Sequence, residues 1–448
     1  MQELIQLVEQ KQYQALRGRL NEMNAVDIAG LLETFSGGQA VILFRLLPKT
    51  TAALAFSYLD PDAQEQLIGV LTDRELGFVM EELSMDDAAD LLEEMPAGVA
   101  KRVLAQTDPA DRRIINQLLK YPEDSAGSLL TTEFVGLKAD MTVKEALNHI
   151  RRSGLDKETI YIGYVTDEAR HLIGVLSVRQ LLLAEERQTV GSLMETRVIS
   201  VATTEDQEAV AQVFAKYDLI ALPVVDSENR LIGIITVDDV VDIMQQETTE
   251  DMQKMAAMLP TDRPYLRTGV TELFRQRIPW LLLLMVSATV TGMIITGFEN
   301  ALSSMVALVA FMPMLMDTGG NCGSQASVTV IRSLALGEVR FRDIFRVIGK
   351  ELRVSLLCGV TLAVANFLKI LLLDNLLLGR GVSLTVAVVV CLTILCTVII
   401  AKLVGCTLPL LAKKCGLDPA VMASPFITTI VDAVSLLVYF GIATSFLR

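Results

Sequence analysis

Residues Pro279–Phe298 form a run of 20 without one charged side chain. A helix of that length spans the roughly 30 Å of a bilayer's hydrocarbon, so this run constrains the fold more than any other segment. Val382–Ala401 is a second charge-free run of 20. Val354–Leu373 is interrupted only by Lys369, and Pro419–Leu447 only by Asp432. Ala301–Ile331 is longer and is broken by Pro313, Asp317 and Gly319–Gly320. Five crossings are expected. With the N-terminus in the cytoplasm, twelve Lys and Arg residues flank the inner ends, against Arg380 and Arg448 outside. That asymmetry predicts a multi-pass protein of the cell membrane with its N-terminus cytoplasmic and its C-terminus outside.

The half before these runs has the opposite character. Residues 1–270 carry 44 Asp and Glu against 25 Lys and Arg, whereas residues 271–448 carry 9 against 14. Such an acidic half repels phosphates, which excludes nucleic acid as a partner, and it attracts cations. The N-terminus has no basic-then-apolar leader, so this half is expected to stay in the cytoplasm. All six Cys lie in the apolar half without a CxxC pair and read as packing residues. His149 and His171 are the only histidines. No nucleophile elbow or phosphate loop is present, so an enzyme is not expected.

From Asn24 a period of 12 residues runs through eight copies to Leu119, each opened by Asn, Ser, Pro, Asp or Thr. Those residues cap or start helices. Positions eight and twelve of each copy are mostly apolar, which predicts a small solenoid of short helices. Its exposed edge carries Glu81, Glu82, Asp86, Asp87, Asp90, Glu93 and Glu94. A solvated face explains those acids as well as a cation site does.

A second repeat follows, HLIGVLSVRQLL (His171–Leu182) echoed by RLIGIITVDDVV (Arg230–Val241). The order strand, turn, strand, helix occurring twice resembles a pair of CBS domains. Such pairs can hold adenine nucleotides such as ATP, and the second copy has Gly233, Thr236 and Asp239 in the nucleotide pattern. The first has Gln180 where the acid should stand. A dimerising module without nucleotide is the other reading. Gln245–Met258 then reads as a connecting helix with Glu247, Glu250 and Asp251 on one side.

Within the second apolar run, PMLMDTGGNCGSQ is followed by IRSLALGE. Pro and Gly should loosen a membrane helix there, and Asp317, Asn321 and Gln325 are costly in lipid unless they face protein or water. This signature resembles the MgtE family of magnesium transporters, and the order of the remaining parts agrees with it. The resemblance implies a multidomain membrane protein. Its parts are an α-helical solenoid at 1–127, tandem α+β CBS domains at 131–246 (131–194 and 195–246), a connecting helix at 245–268 and a five-helix transmembrane domain at 271–448. It also implies a homodimer that conducts Mg2+ along its two-fold axis and is gated by cytosolic Mg2+. On the matching positions the pore carboxylate is Asp432, with Ser424, Thr428, Asn321 and Gln325 lining the pathway. Family members often carry Asn where this chain has Ser424. The cytosolic magnesium ligands fall on Asp87, Asp90, Asp206, Glu208, Asp218, Asp239, Asp242, Glu247, Glu250 and Asp251, with Asp418 at the inner mouth.

The chemistry is compatible with that reading. Magnesium is hard and releases water reluctantly, so proteins hold it through one or two carboxylates and its own waters. Ser424, Thr428, Asp432, Ser435 and Tyr439 fall on one face of the last helix. A structural ion pair between Asp432 and Lys402 or Lys369 is the competing explanation for the buried charge. An ion-coupled transporter of another solute, or of Co2+, Ni2+ or Mn2+, with the CBS pair as energy sensor, is the competing function.

Overall fold

The 12-residue period is the spacing of helix starts. After α1 (Gln2–Glu9) and α2 (Tyr13–Leu20) come α3 (Ala25–Glu33), α4 (Gly37–Leu46), α5 (Lys49–Ser57) and α6 (Pro61–Val70). They continue as α7 (Asp73–Glu82), α8 (Met85–Glu94), α9 (Ala97–Gln106) and α10 (Pro109–Leu118). Asp60 Oδ1 accepts from the Ala63 amide at 3.0 Å, and Thr72 forms a reciprocal capping box with Glu75. The eighth residue of every repeat, from Leu31 to Ile115, is no more than 4% exposed. The helices pack next-but-one: α3 on α5, α5 on α7, α7 on α9 and α8 on α10. From α3 onward, turns of two or three residues join consecutive helices at their ends, so each apolar stripe meets the helix two along. The structural unit is therefore a helix pair spanning two sequence repeats.

The structure describes residues 2–35, 37–261, 263, 265, 266, 268–298 and 306–446 in a computed structural model. Arg267, the first residues of the Ala301–Ile331 run, Leu447, Arg448 and the side chain of Ser424 lie outside the described residues. The chain divides into two units, Met1–Ile243 and Met244–Arg448.

Beyond the solenoid, β1 (Val135–Leu137), α11 (Val143–Ser153), β2 (Ile162–Thr166), β3 (Leu172–Ser177) and α12 (Val178–Leu183) form the first α+β copy. After α13 (Val190–Leu193), the second consists of β4 (Val201–Ala202), α14 (Gln207–Tyr217), β5 (Ala221–Val225), β6 (Leu231–Thr236) and the start of α15 (Val237–Met255). Each sheet has sequential order, its first pair parallel and its second antiparallel. The copies join through Leu172 N donating to Asn229 O and Leu231 N to Arg170 O, both at 3.0 Å. Thr131, ahead of β1, exchanges hydrogen bonds of 2.8 and 2.9 Å with Ile234 of the second copy. Gly233 permits this approach, because a Cβ there would collide with the Thr131 carbonyl. The helix after β6 and the expected connecting helix are one continuous element, α15.

In the second unit, α16 (Val270–Gly297), α17 (Met312–Ala335), α18 (Ile344–Lys369), α19 (Leu384–Lys414) and α20 (Ser424–Phe446) follow in order. Among the described residues, four segments are long and apolar enough to cross a membrane: Val270–Gly297, Phe341–Leu377, Leu384–Lys414 and Pro419–Phe446. The remaining helix, α17, is the polar one, and it packs against α19 and α20. Its backbone is unbroken from Met312 to Ala335, which corrects the expected loosening. Pro313 sits in the first turn, where no amide donor is required. The glycines are contact points instead: a Cβ on Gly319 would lie 2.8 Å from Thr397 Cγ2 and 2.9 Å from Ser435 Oγ. On Gly323 it would lie 2.8 Å from Ile427, and on Gly405 it would strike the Gly323 carbonyl. Small residues thus let three helix backbones approach closely.

Candidate functional site

Three groups of polar side chains stand out, one in the first unit and two in the second. In the first unit, α8 presents Asp86 and Asp87, and the first turns of α15 present Asp238, Asp239 and Asp242. With Glu81, Glu82, Glu133 and Glu158 they line a cleft of about 510 Å³, in which Lys157 is the only base among the described lining residues. Asp87 and Asp90 also line an adjoining cavity of about 240 Å³. Burial and then the charge of Asp86 push Asp87 up to about 6. Burial followed by the charges of Asp86 and Asp87 takes Asp90 to about 8. Glu158 and Asp239 are each raised to about 7, first by burial and then by Asp86. Asp86 itself is buried and raised, and its Oδ1 has no hydrogen-bond partner. Asp87, Asp90 and Glu158 are nevertheless exposed and Asp239 is half-buried, so solvent moderates their repulsion. Among the described residues, no three His, Cys, Asp or Glu side chains converge tightly enough to hold a bare metal ion.

The remaining cytosolic acids stand elsewhere. Asp206 caps α14, its Oδ1 accepting from the Glu208 amide at 2.9 Å, and Asp218 ends that helix in a left-handed conformation (φ 50°). Neither they nor Glu208 line the cleft. Thr236 Oγ1 donates to Asp239 Oδ2 at 2.8 Å, so both candidate nucleotide residues of the second copy are engaged with each other.

At the far end of α15, Lys254 Nζ lies 2.6 Å from Glu250 Oε1 and 2.7 Å from Asp418 Oδ2. Glu247 and Asp251 belong to the same stretch of helix.

Along α17, Asp317, Asn321 and Gln325 form an exposed stripe at four-residue spacing. With Cys322, Leu357, Cys358 and Thr361 they line an open groove of about 510 Å³ against α18. Asp432 is partly buried on α20, near enough to Asp317 for the two carboxylates to repel. The two candidate bases for Asp432 are occupied otherwise. Lys402 faces Glu351 at 3.9 Å, and Lys369 faces the buried Asp374 at 3.2 Å. Among the described residues Asp432 has no basic partner. Two hydroxyls of the expected stripe are engaged internally: Thr428 Oγ1 donates to Pro425 O at 2.9 Å, and the buried Tyr439 donates to Leu308 O at 3.0 Å. Tyr439 is therefore a packing residue that anchors α20.

Three family models match the chain in succession: an MgtE intracellular N domain at 23–124, CBS domains at 126–187 and 190–246, and an MgtE divalent cation transporter domain at 312–442. A magnesium transporter MgtE of Thermus thermophilus is 39% identical over 433 residues, covering 96% of this chain and 94% of the relative. The chain belongs to the MgtE family. An MgtE magnesium transporter of Bacillus subtilis is 35% identical, with 94% of each chain covered. The solved cytosolic domain of an Mg2+ channel MgtE in complex with ATP matches at TM-score 0.52 and 41% identity, over 54% of this chain and 98% of that one. The soluble part of a magnesium transporter matches at TM-score 0.51 and 28% identity, over 55% of this chain and 96% of that one. Within the MgtE frame, the acidic cleft is formed between the stretch matching the N domain and those matching both CBS domains. Glu158 and Asp238 belong to this cleft without having been singled out in the sequence, although Asp238 adjoins Asp239 in the repeat. Lys254 was overlooked too, and its spacing of four from Glu250 was the available signal.

Proposed function

We propose that this MgtE chain works as a homodimeric magnesium channel or transporter, carrying Mg2+ into the cell across the plasma membrane and gated by cytosolic Mg2+. The observation that carries the reading is Asp432, a carboxylate within a membrane helix whose two candidate bases are paired elsewhere. An unneutralised Asp at that depth costs roughly 2.5–3.5 kcal/mol on insertion scales, which favours a passing cation as its counter-charge. The exposed stripe Asp317, Asn321 and Gln325 supports a second copy or a water-filled path against α17, because lipid would leave these groups unsatisfied. Ser424 and Thr428 belong to the same path in this reading.

The division into a solenoid (1–127), a CBS pair (131–246), a connecting helix (245–268) and a transmembrane domain (271–448) assigns sensing to the cytosolic half. Asp87, Asp90, Asp239 and Asp242 act at the cleft. Asp206, Glu208, Asp218, Glu247, Glu250, Asp251 and Asp418 act as further ligands. Because among the described residues no group of three carboxylates closes on a point, the ion bound in the cleft keeps most of its water, as magnesium does in proteins. With magnesium absent the acids of the cleft repel and the compact state is disfavoured; with magnesium bound it is favoured, and conduction stops. A ligand shifts such an equilibrium only through its differential affinity for the two states. ATP binds the second CBS copy through Thr236 and Asp239 and tunes this balance.

Expression in a strain lacking its magnesium uptake systems tests the reading. The wild-type chain restores growth at low magnesium and Asp432→Ala does not. Equal rescue by both would remove Asp432 from the pathway, and rescue by neither would remove magnesium as the cargo.

A further inference from the structure

Lys254 is a cation built into the chain at a pair of carboxylates. Its ammonium bridges Glu250, one turn earlier on α15, and Asp418, at 2.6 and 2.7 Å. Glu placed four residues before Lys is the favourable order on a helix. The second oxygen of Asp418, Oδ1, accepts from the Ala420 amide at 2.8 Å and caps the helical turn Pro419–Met422 that precedes α20. Beside Lys254, Met255 packs against Ile331, Ala420 and Ala423. Adjacent residues of α15 thus grip the segment that leads into α20, one by charge and one by apolar contact. Gln253 ties the returning chain to the same end: its amide donates to Thr261 O at 3.0 Å and accepts from Thr261 N at 2.7 Å. Burial alone would lower the Lys254 pKa. Its bonds to Asp418 and Glu250 outweigh that effect and hold it above the usual lysine range.

We propose that Lys254 latches the end of α15 onto Asp418 as a tethered cation, so that this contact forms without magnesium. Magnesium reaching Glu250 and Asp418 must then displace the ammonium. The latch follows from the ion pairs alone; the competition rests on the reading of Glu250 and Asp418 as magnesium ligands. An ammonium with three donors satisfies two carboxylates without a metal. Magnesium demands oxygens at about 2.0–2.1 Å in octahedral array, so the same oxygens cannot serve both. The sensing acids are repelled from one another when magnesium is scarce. This end of α15 is not, because its neutralising charge is covalently attached.

Hydrogen–deuterium exchange on the full-length protein in lipid nanodiscs, with EDTA, reads the amides of residues 250–258 and 419–423. They are expected to exchange slowly in wild type and in Lys254→Arg, and about tenfold faster in Lys254→Met, the equivalent of losing part-exposed charge-assisted bonds. Added magnesium is expected to restore protection in Lys254→Met, where the two carboxylates have no competitor. Equal protection of wild type and Lys254→Met in EDTA overturns the latch, as does a rise spread over α16 and α19 rather than confined to these amides. A local rise that magnesium leaves unchanged supports the latch and overturns the competition, along with Glu250 and Asp418 as magnesium ligands. Neither result depends on transport, so a failure of the cargo assignment is seen separately.

Discussion

The Thr236 hydroxyl donates to Asp239 Oδ2 at 2.8 Å, at the point where β6 turns into α15. Asp239 also feels the charge of Asp86 across the acidic cleft. One carboxylate therefore serves both a CBS motif and the cleft. Asp239→Asn is expected to weaken cation binding and adenine-nucleotide binding together, whereas Thr236→Ala weakens only the nucleotide. Calorimetric titration of each variant with Mg2+ and with ATP distinguishes them, and a Thr236→Ala protein that loses both would dissolve the distinction.

The cleft makes stability depend on pH. Asp87, Glu158, Asp239 and Asp90 titrate at about 6, 7, 7 and 8 in the folded chain, all above the ordinary carboxylate range. A carboxyl with a raised folded pKa binds its proton more tightly when folded. Its contribution is full below about pH 4 and is lost as pH rises through 6 to 8. In EDTA the cleft's contribution to the melting temperature is thus expected to fall from about pH 4 to pH 8, and saturating magnesium should flatten the profile. Asp90→Asn should raise metal-free stability at pH 8 by about 1 kcal/mol, a figure kept small because water reaches the group. A profile unchanged by Asp90→Asn would show that the carboxyl is solvated like any surface acid.

Gly405 and Gly323 meet backbone to backbone between α19 and α17. Gly405→Ala should cost roughly 1–3 kcal/mol through overpacking. Gly292→Ala on α16 has open space around its Cβ and should be neutral or slightly stabilising in its helix. Thermal unfolding in detergent, followed by size-exclusion chromatography, ranks the two, and equal melting points would contradict the close approach.

Lys402 and Glu351 form a buried pair whose Glu351 Oε2 makes no hydrogen bond. Removing one partner strands the other charge, so Lys402→Met is expected to cost about 3 kcal/mol, with Lys402→Met/Glu351→Met recovering part of it. A double-mutant cycle that returns no coupling would place the two side chains apart.

Much of this was readable before the fold was known, where a physical constraint acts locally. Twenty uncharged residues have few other uses, and caps spaced twelve apart betray short helices. Packing order was hidden, because a period cannot say whether a helix meets its neighbour or the next-but-one. β1 and β4 have three and two residues, too few for alternation to register. Gly319, Gly320 and Gly323 signalled a break by propensity, yet tertiary contacts claimed them for close packing. The partner of Lys254 stands on a distant segment, and nothing near residue 254 points to residue 418.

The pathway is tested most directly by Mg2+ uptake into proteoliposomes containing the purified protein, with magnesium on the cytosolic side set low or high and a magnesium-sensitive dye inside. Wild type should take up Mg2+ at low cytosolic magnesium and slow at high, while Asp432→Ala should stay at the level of empty vesicles under both conditions. Uptake by Asp432→Ala equal to wild type would contradict a route past that carboxylate.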